Sequence, residues 1–499
     1  MDEEIFTKGI RHTAHGLNFY MSLFDEVARV LPREELCFIV GGWVRDRVLG
    51  EPVGEKIDID LLTTYDPIKL ARALAERIGG AFFEFEKRKL FWRSRVGVVV
   101  LKQKPYTYRF DIAQIRGNDI EKALIQDLLS RDFSANAMAI NMDHVLSLGA
   151  RQTFIYDPCH GMEDLEMGIL KPVSLSNIEE DPIRILRGFR IAHQRKLELT
   201  EDFLDFVRRK SNIIKKSPPE RITQELLRIF SAENSWRVIK DLYEIGILKE
   251  IFPETARWEE VKDKSQEAPL SEHIFKVIKE LEEIIKRKNQ LLPDGIEIER
   301  EFLGEFSQIE LTKLAALLHD IAKPHTYKVI DGKSTFYGHD VLGEQMVRNY
   351  AKVYKWGKDV EDFVAKMVRH HLRLFFLREA KLKNELTDRA KYRFWRDCED
   401  IAPYLFLHSL ADSIASDDSE TQIQALIELF KELWEFKLKM GQLPSALLSG
   451  DEIMDILKIE QGPEVGKLKQ ALIEAQIEGK VKTKEEAIEF LKQIKYRDG

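Results

Sequence analysis

The stretch from Gly41 to Asp60, GGWVRDRVLGEPVGEKIDID, constrains this chain more than any other part of its sequence. The apolar run CFIV before it predicts a short buried strand. Gly41 and Gly42 have no Cβ, so the backbone can turn sharply there and a phosphate can approach its amides. A helix is predicted from Trp43 to Leu49, and Gly50 ends it. The stretch therefore predicts a strand, a tight turn and a helix placed to receive a phosphate group.

The strand predicted after this helix carries two carboxylates. Asp58 and Asp60 are two residues apart, and side chains at that spacing on a strand share a face. Hard cations such as Mg²⁺ take oxygen ligands and keep substrate phosphates in the rest of their shell. Each piece has a plain interpretation, because Asp-x-Asp is common on exposed strands and Gly-Gly is usually a turn. Their combination is what indicates a metal and nucleotide site.

This combination resembles the class II family of CCA-adding enzymes and bacterial poly(A) polymerases, in which GGxVRDxLLG is followed by DxD. The resemblance implies a polymerase-β-like head that transfers nucleotides in a two-metal centre. It implies that Gly41, Gly42 and Arg45 contact the nucleotide. It also implies that Asp58 and Asp60 bind Mg²⁺ and take part in catalysis. Such heads have a third carboxylate on a neighbouring strand, and Asp111 is the candidate. An ordinary aspartate near a strand end is the alternative.

The segment Arg131–Ala137, RDFSANA, resembles the RRDFxxNA motif of the same family. The resemblance implies that Arg131 binds the triphosphate, since a guanidinium matches phosphate as a bidentate donor. It also implies that Asp132 and Asn136 hold the sugar of the nucleotide and maintain the local structure. Ser130 stands where the family usually has its first arginine, which removes one positive charge near the site.

The segment Glu180–Arg190, EDPIRILRGFR, predicts a helix with Asp181 and Arg184 on one face. By itself it could be a charged helix surface. In the family that it resembles, this segment reads the incoming base. Cytosine and adenine both present an amino donor beside a ring-nitrogen acceptor, which a carboxylate and a guanidinium match, whereas uracil and guanine would leave buried groups unpaired. The resemblance also implies that Arg187 and Arg190 reach the triphosphate.

The family contains enzymes that add CCA, only CC, only the final A, or poly(A). Many full CCA-adding members carry an additional flexible loop ahead of the RRDF motif, and CC-adding members lack it. Here residues 117–130 leave little room for such a loop. The sequence therefore favours a CC-adding enzyme, with A-adding, CCA-adding and poly(A) activity as alternatives.

Histidines concentrate between residues 260 and 415, in the order His, His-Asp, His, His-His and finally Asp. Lone histidines are usually core or surface residues, but neutral imidazoles with carboxylates suit divalent transition metals. The set resembles an HD-domain metal phosphohydrolase. The resemblance implies one metal held by His273, His319, Asp320 and Asp412, and another held by His339 with His370 or His371. The implied activity is hydrolysis of phosphate ends such as 2′,3′-cyclic phosphates in tRNA repair.

Three alternatives stay open, one for this second site and two for the whole chain. It could be a degenerate HD fold that only grips tRNA. The whole chain could be an HD phosphohydrolase whose head is an inactive RNA-binding module. A nucleotide-sensing regulatory protein would also combine both folds, but it would lack the base-reading helix and the tRNA-gripping tail.

The predicted fold class is α+β, with strands up to about residue 116 and helices from about residue 118 onward. Four domains are predicted: a mixed-sheet head over 1–160, an all-α neck over 161–258, an HD body over 259–415 and a tRNA-binding helical tail over 416–499. A helix with a loop is predicted over residues 4–30.

Composition limits the partners and the compartment. The net charge of −8 gives no global basic footprint, so contacts with tRNA must come from local patches. Three widely spaced cysteines argue against a disulfide framework. We find no signal peptide and no membrane span, which predicts a cytoplasmic protein. The expected partners are tRNA with CTP, ATP or both, and no oligomeric state is predicted.

Overall fold

A computed structural model gives the structure of the chain for residues 23–51, 54–89, 92–148, 154–262, 268–298, 301–303, 306–330, 333–441 and 444–497. The chain divides into two compact units: residues 1–217 with 245–247, and residues 218–244 with 248–499. This division falls inside the predicted neck, and the four-domain scheme stays a prediction. Of the helix predicted over 4–30, residues 4–22 lie outside the described part, and residues 23–30 are helical (α1).

The first unit is built on a seven-stranded mixed sheet. Its strands are β1 Cys37–Val40, β2 Lys56–Thr63, β3 Ala81–Lys89, β4 Trp92–Gln103, β5 Tyr106–Gln114, β6 Ala139–Asn141 and β7 Ile155–Tyr156. They lie in the order β3-β4-β5-β2-β1-β6-β7. β2 and β5 pair in parallel, and the other neighbours are antiparallel. The mixed sheet confirms the predicted fold class of the head.

Helices cover this sheet and lead away from it. They are α2 Gly42–Val48, α3 Pro67–Ile78, α4 Ile120–Leu129, α5 Met142–Leu148, α6 Gly161–Glu166, α7 Leu175–Glu180, α8 Arg184–Arg195 and α9 Glu201–Lys210. Two short strands, β8 Ile169–Leu170 and β9 Glu198–Leu199, form a parallel pair. α3 has clear start and stop signals, because Asp66 accepts from the backbone amides of its first turn and Gly79 ends it with a φ of 69°.

From about residue 118 onward the chain is overwhelmingly helical, as predicted, but two short strands at the end of the sheet were not predicted. Residues 139–141 form β6, which pairs with β1, and residues 155–156 form β7 beside it. Strands this short show no readable alternation in sequence. The backbone pairing offered by β1 makes them strands, so tertiary context decides their structure.

The two faces of the sheet have different roles. Ile57, Ile59 and Leu61 of β2 are buried, whereas Asp58 and Asp60 between them are exposed. α3 packs on the face of the buried residues, where Gly97 of β4 lies against it. The other face carries the carboxylates.

The second unit is almost entirely helical. Its helices are α10 Pro219–Phe230, α11 Ser235–Glu244, α12 Leu248–Ile251, α13 Leu270–Lys286, α14 Lys288–Leu291, α15 Gln308–Leu318, α16 Lys323–Thr326, α17 His339–Val353, α18 Lys358–His370, α19 Arg373–Leu382, α20 Asp388–Cys398, α21 Ala402–Ala415, α22 Glu420–Met440, α23 Gly450–Leu457, α24 Pro463–Ile477 and α25 Lys484–Arg497. Two hairpins interrupt them, β10 Glu301–Leu303 with β11 Phe306–Ser307 and β12 Lys328–Ile330 with β13 Lys333–Thr335.

α15 lies at the centre of this unit and is buried on nearly all sides. α13, α18 and α21 pack around it, which brings distant histidines together. The last three helices, α23 to α25, enclose an apolar cluster of their own. Within the described part of the chain, every helix is too short or too polar to cross a bilayer.

We predict that Gly97→Ala destabilises the first unit by about 1–3 kcal/mol, because an added Cβ overpacks the contact of α3 with the sheet. That Cβ would lie 2.4 Å from Ala71 Cβ and 2.6 Å from the Pro67 carbonyl oxygen. Calorimetric melting measures the effect. Gly54→Ala is the control, since its nearest neighbour would be 3.8 Å away. Equal melting temperatures for both variants would contradict this packing.

Candidate functional site

The turn at Gly41 brings a guanidinium and a carboxylate together. Gly41 has a φ of 78°, a conformation that favours glycine. A Cβ at this position would lie 2.9 Å from Arg131 Nη1 and 3.2 Å from Asp60 Oδ2. The missing side chain therefore leaves a cradle above the turn, with a positive group on one side and a negative group on the other. Gly42 is the first residue of α2.

The predicted catalytic carboxylates stand on neighbouring strands. In the parallel pairing of β2 with β5, Asp60 lies opposite Asp111 and Asp58 lies opposite Arg109. All four side chains therefore share one face. Arg109 Nε donates to Asp111 Oδ1 at 2.8 Å, which offsets part of the local negative charge.

The exposed oxygens of Asp58 and Asp60 are the donor type that Mg²⁺ prefers, and they leave room for phosphate oxygens. Among the described residues, these two acids and Asp111 do not form a group whose ligand atoms all lie within 4.8 Å of one another. Asp58 and Asp60 lie two positions apart on the strand, with one residue between them, and their negative charges repel each other. The residues fit Mg²⁺ bound partly by the substrate rather than a cage made by the protein alone.

A buried polar network lies behind the cradle. Arg45 Nη1 donates to Asn136 Oδ1 at 2.7 Å, and Asn136 Nδ2 donates to Asp132 Oδ1 at 3.0 Å. Arg187 Nη2 lies 3.0 Å from Asp132 Oδ2. Burial alone would raise the pKa of Asp132, but the charge of Arg187 and the amide of Asn136 hold that pKa below its usual value. Asp132 is therefore a buried anion that fixes the loop carrying Arg131.

A second ion pair connects α2 to α8. Arg195 Nε donates to Asp46 Oδ1 at 2.8 Å, and its Nη2 donates to Asp46 Oδ2 at 2.9 Å. Arg45 Nε donates to the same Oδ1 at 2.8 Å. Burial raises the pKa of Asp46, but the charges of Arg45 and Arg195 lower it below its usual value. This pair could not be predicted from the sequence, because Arg195 lies in no motif.

The predicted helix after Pro182 is present as α8, but Asp181 lies before it and not on its face. α7 ends at Glu180, α8 begins at Arg184, and Asp181 between them has a non-helical backbone with φ −133° and ψ 81°. Pro182 explains this, because a residue before proline is pushed out of the helical region. Arg184 Nε still lies 3.7 Å from Asp181 Oδ2, so a turn keeps the two charges close.

The remaining predicted arginines have protein partners. Arg184 Nη1 donates to the carbonyl oxygens of Arg131 and Asn177 at 3.3 and 3.2 Å. Arg190 Nη1 donates to Gln194 Oε1 at 3.0 Å. Contacts from Arg187 and Arg190 to a triphosphate stay a prediction.

Ser130 ends α4 and donates from its hydroxyl to the Asp127 carbonyl oxygen at 2.7 Å. Arg131 Nε and Nη2 both donate to Asp127 Oδ2, at 3.1 and 3.0 Å. A carboxylate one turn before Arg131 therefore holds its guanidinium beside the cradle.

Asp320 is the centre of the predicted metal cluster in the second unit. Its Oδ2 lies 3.2 Å from His319 Nε2 and 3.8 Å from His273 Nε2. Its Oδ1 lies 3.3 Å from His339 Nε2 and 3.7 Å from His371 Nε2. Two groups of possible metal ligands therefore share this carboxylate, and all their members are buried. Asp412 Oδ1 joins the first group at 3.3 Å from His273 Nε2.

The histidine rings are oriented by backbone carbonyls. The Nδ1 atoms of His319, His339 and His371 lie 2.8, 2.7 and 2.7 Å from carbonyl oxygens three residues earlier. With Nδ1–H donating, each Nε2 presents a lone pair toward Asp320, which is the usual arrangement of metal-binding histidines. His319 Nε2 is buried without a hydrogen-bond partner. This donor set fits divalent transition metals.

The surrounding charges affect the protonation of the individual ligands differently. Burial would raise the pKa of Asp320, but the charges of His319 and Lys323 lower it well below its usual value. Burial and the charges of His319 and His339 lower the pKa of His371 to about 3, which keeps its ring neutral. His319 differs, since Asp320 raises its pKa against the effect of burial.

The structure separates the two adjacent histidines at the C-terminal end of α18. His371 lies in the cluster, with its Nε2 3.1 Å from His339 Nε2. His370 faces other charges, chiefly Asp397 and Arg369, and belongs to neither ligand group.

Two residues at this site were missed. Lys323 Nζ lies 2.6 Å from Asp320 Oδ2, and the ring of His408 lies 4.9 Å from that of His319. His408 stands four residues before Asp412, and Lys323 stands three after Asp320. Their helical spacing from a predicted ligand is the sequence signal by which both residues could have been predicted.

Three family models match the sequence. The "Poly A polymerase head domain" covers residues 37–171, the "Probable RNA and SrmB- binding site of polymerase A" covers residues 196–259, and the "HD domain" covers residues 270–417.

Curated relatives align with most of the chain. A CC-adding tRNA nucleotidyltransferase of Thermus thermophilus is 29% identical over 91% of this chain and 92% of its own length. An A-adding tRNA nucleotidyltransferase of Deinococcus radiodurans is 28% identical over 91% of this chain and 94% of its own.

Solved structures share the fold. A CCA-adding enzyme in complex with ATP has a TM-score of 0.56 at 19% identity, covering 95% of this chain and 94% of that one. A Thermotoga maritima CCA-adding enzyme in complex with tRNA has a TM-score of 0.51 at 18% identity, covering 96% and 95%.

We predict that Asp46 and Arg195 stabilise the first unit jointly. In a double-mutant cycle of Asp46→Ala and Arg195→Ala, calorimetric melting should give a coupling energy of about 1–3 kcal/mol. Because the folded pKa of Asp46 is lowered, this coupling is fully present above the unfolded pKa and is lost as the pH falls through the folded one.

The matched control is the exposed pair Arg208–Glu201 of α9, whose atoms are 2.6 Å apart. Its coupling should be below about 1 kcal/mol, since solvent screens it. Equal couplings for the two pairs would show that the buried pair has no special role.

Proposed function

The chain belongs to the class II tRNA nucleotidyltransferase family of CCA-adding enzymes and bacterial poly(A) polymerases, and from this premise we propose that it adds C residues to the 3′ end of immature tRNA. The observation that carries the proposal is the shared face of Asp58, Asp60 and Asp111 beside the Gly41 cradle. That face joins metal-binding oxygens to a guanidinium, Arg131, which suits a triphosphate.

The reaction joins the RNA 3′-oxygen to the α-phosphorus of the nucleotide and breaks the bond to pyrophosphate. Asp58 and Asp60 would hold Mg²⁺. When bound there, Mg²⁺ stabilises the charge on the attacking and leaving oxygens. Asp111 orients the 3′-hydroxyl and accepts its proton, and Arg109 keeps that carboxylate in place. Arg131 binds the departing phosphates, and Gly41 leaves room for them.

Asp181 and Arg184 would select the base. A carboxylate accepts from the exocyclic amine of cytosine or adenine, and a guanidinium donates to the neighbouring ring nitrogen. Uracil and guanine would leave both groups unpaired, which costs binding free energy. The network through Arg45, Asn136 and Asp132 fixes α8 relative to the cradle, so the base and the phosphates are held together.

CC-addition is the favoured subtype for two reasons. Residues 117–130 consist of a short connection and α4, which leaves little room for an additional flexible loop. The Thermus relative is described as CC-adding. A-addition, as in the Deinococcus relative, full CCA-addition and poly(A) addition are the alternatives within the family.

We further propose that the cluster around Asp320 is a metal-dependent phosphohydrolase site that acts on RNA phosphate ends. Its ligands would be His273, His319, Asp320 and Asp412 for one metal, and His339 with His371 around the shared Asp320 for another. A metal bound there supplies an activated water for hydrolysis. Lys323, beside Asp320, would bind the substrate phosphate.

The alternative from another class is an HD phosphohydrolase whose head binds RNA without transferring nucleotides. The proposed partners are tRNA and CTP, ATP or both. The cytoplasmic localisation stays a prediction.

Product length tests the first activity. Labelled tRNA ending at the discriminator base, at C or at CC is incubated with CTP or ATP alone and Mg²⁺. We expect two additions from CTP on the first substrate, one on the second and none on the third. Extension of the third substrate by ATP would instead indicate A-addition or CCA-addition, and continued extension would indicate poly(A) synthesis.

We predict that Asp58→Ala and Asp60→Ala each lower incorporation by at least about 100-fold, because the transferred phosphate loses its charge stabilisation. Binding of tRNA, measured by filter retention, should change less than about twofold. Incorporation at the wild-type rate in either variant would remove the metal assignment.

For the second site, we predict that His319→Ala abolishes metal-dependent hydrolysis of 2′,3′-cyclic RNA ends to terminal monophosphates and spares incorporation. His370→Ala is the matched control, since His370 lies outside both ligand groups. Absence of hydrolysis by the parent protein with Mn²⁺, Ni²⁺, Co²⁺ or Zn²⁺ would favour a helical body without this activity.

A further inference from the structure

Two phenylalanines are exposed on the edge strand of the head sheet. Phe83 and Phe85 of β3 are 48% and 51% exposed. They are two residues apart, so both side chains project from the same face. Neighbouring apolar residues of β4 and β5, such as Val98 and Phe110, are buried. Two adjacent exposed aromatic rings beside buried apolar neighbours indicate a binding surface.

Strand register places these rings on the catalytic face. Phe83 lies opposite Val98, Val98 opposite Asp111, and Asp111 opposite Asp60. Residues that are opposite each other in a sheet share a face. One row across four strands therefore begins at Phe83 and ends at the proposed catalytic carboxylates.

The packing of α3 shows that the rings do not belong to the covered face. Phe82, the residue before Phe83, lies on that face, and its ring centroid is 5.3 Å from the guanidinium carbon of Arg72 of α3. Tyr106 and Tyr108 of β5 lie there too, with ring centroids 6.1 Å apart. Phe83 and Phe85 point the other way, toward the side on which transfer would occur.

Distance is compatible with an RNA strand that ends at the carboxylates. Neighbouring strands are about 4.8 Å apart, so Phe83 and Asp111 are separated by roughly 10 Å across the sheet. Stacked nucleotides rise about 3.4 Å each. An RNA 3′-hydroxyl at Asp111 would thus place one of the last few bases over the rings.

We propose that Phe83 and Phe85 form a stacking platform for the unpaired 3′-terminal bases of the RNA being extended. The proposal rests on the proposed function. Because addition proceeds without a nucleic-acid template, the terminal bases have no pairing partner to hold them. Aromatic rings hold such bases without reading their sequence, since every base has a π face. The platform would allow the enzyme to bind the RNA 3′ end while its terminal base changes with each addition.

Kinetics with the full chain test the platform. We expect Phe83→Leu and Phe85→Leu to raise the KM for tRNA by about tenfold each and to leave the KM for CTP within about twofold, because one stacked base is lost. Phe83→Trp should keep the wild-type KM for tRNA, since it keeps a π face. Tyr106→Ala is the matched control, an exposed aromatic residue on the opposite face of the same sheet.

A fluorescent base gives a direct readout. tRNA with 2-aminopurine at its last position should be quenched on binding to the wild-type protein, and the Phe83→Leu/Phe85→Leu variant should remove most of this quenching. Unchanged quenching and unchanged KM for tRNA in the double variant would overturn the platform.

A lower melting temperature or a changed oligomeric state of the double variant with unchanged KM would also overturn it. The rings would then be covered by another segment of this chain or by a second copy. Failure of the proposed function is distinct, because the wild-type protein would then incorporate no nucleotide on any tRNA end.

Discussion

The parallel pairing of β2 with β5 is the constraint on which the head depends. It sets Asp60 beside Asp111, and it can do so only in one register. A slip by one residue would turn the acids toward α3 and the isoleucines toward solvent. Burial of Ile57, Ile59 and Leu61 therefore fixes the position of the carboxylates between them. The alternation of apolar and acidic residues in this strand therefore supplies both its buried face and its carboxylate face.

Buried charge is the second feature that organises the head. Arg45, Asp46, Asp132 and Arg195 are largely removed from water, and each has a charged or amide partner. Leaving one of them alone would be costly, so the network tolerates few arrangements. The result is a rigid connection from the glycine turn to α8. Such rigidity suits a site that must hold a base and a triphosphate at fixed separation.

The second unit uses the same principle around one carboxylate. The Nε2 atoms of several histidines surround the Asp320 carboxylate, and backbone carbonyls set their rings. The ligands come from α13, α17 and α21 and from the residues that directly follow α15 and α18, so the site forms only when the helices pack. A metal bound there would in turn stabilise that packing.

Local rules predicted much of this structure, and long-range contacts set the rest. A period of two places Asp58 and Asp60 on one face, and the order of histidines indicated a metal cluster. The sequence could not show that Arg195 meets Asp46, because 149 residues separate them. Nor could it choose between His370 and His371, since helix packing decides which ring turns inward. The sequence placed Asp181 on the face of α8, but the restriction that Pro182 imposes on the preceding residue keeps Asp181 outside that helix.

An anomalous-scattering map of crystals grown with Mn²⁺ and a non-hydrolysable CTP analogue tests the central claim most directly. The account predicts manganese peaks beside Asp58 and Asp60, with the triphosphate near Arg131 and the cytosine against Asp181 and Arg184. A nucleotide bound elsewhere, or a first-unit carboxylate face without manganese while the analogue is bound, would contradict it.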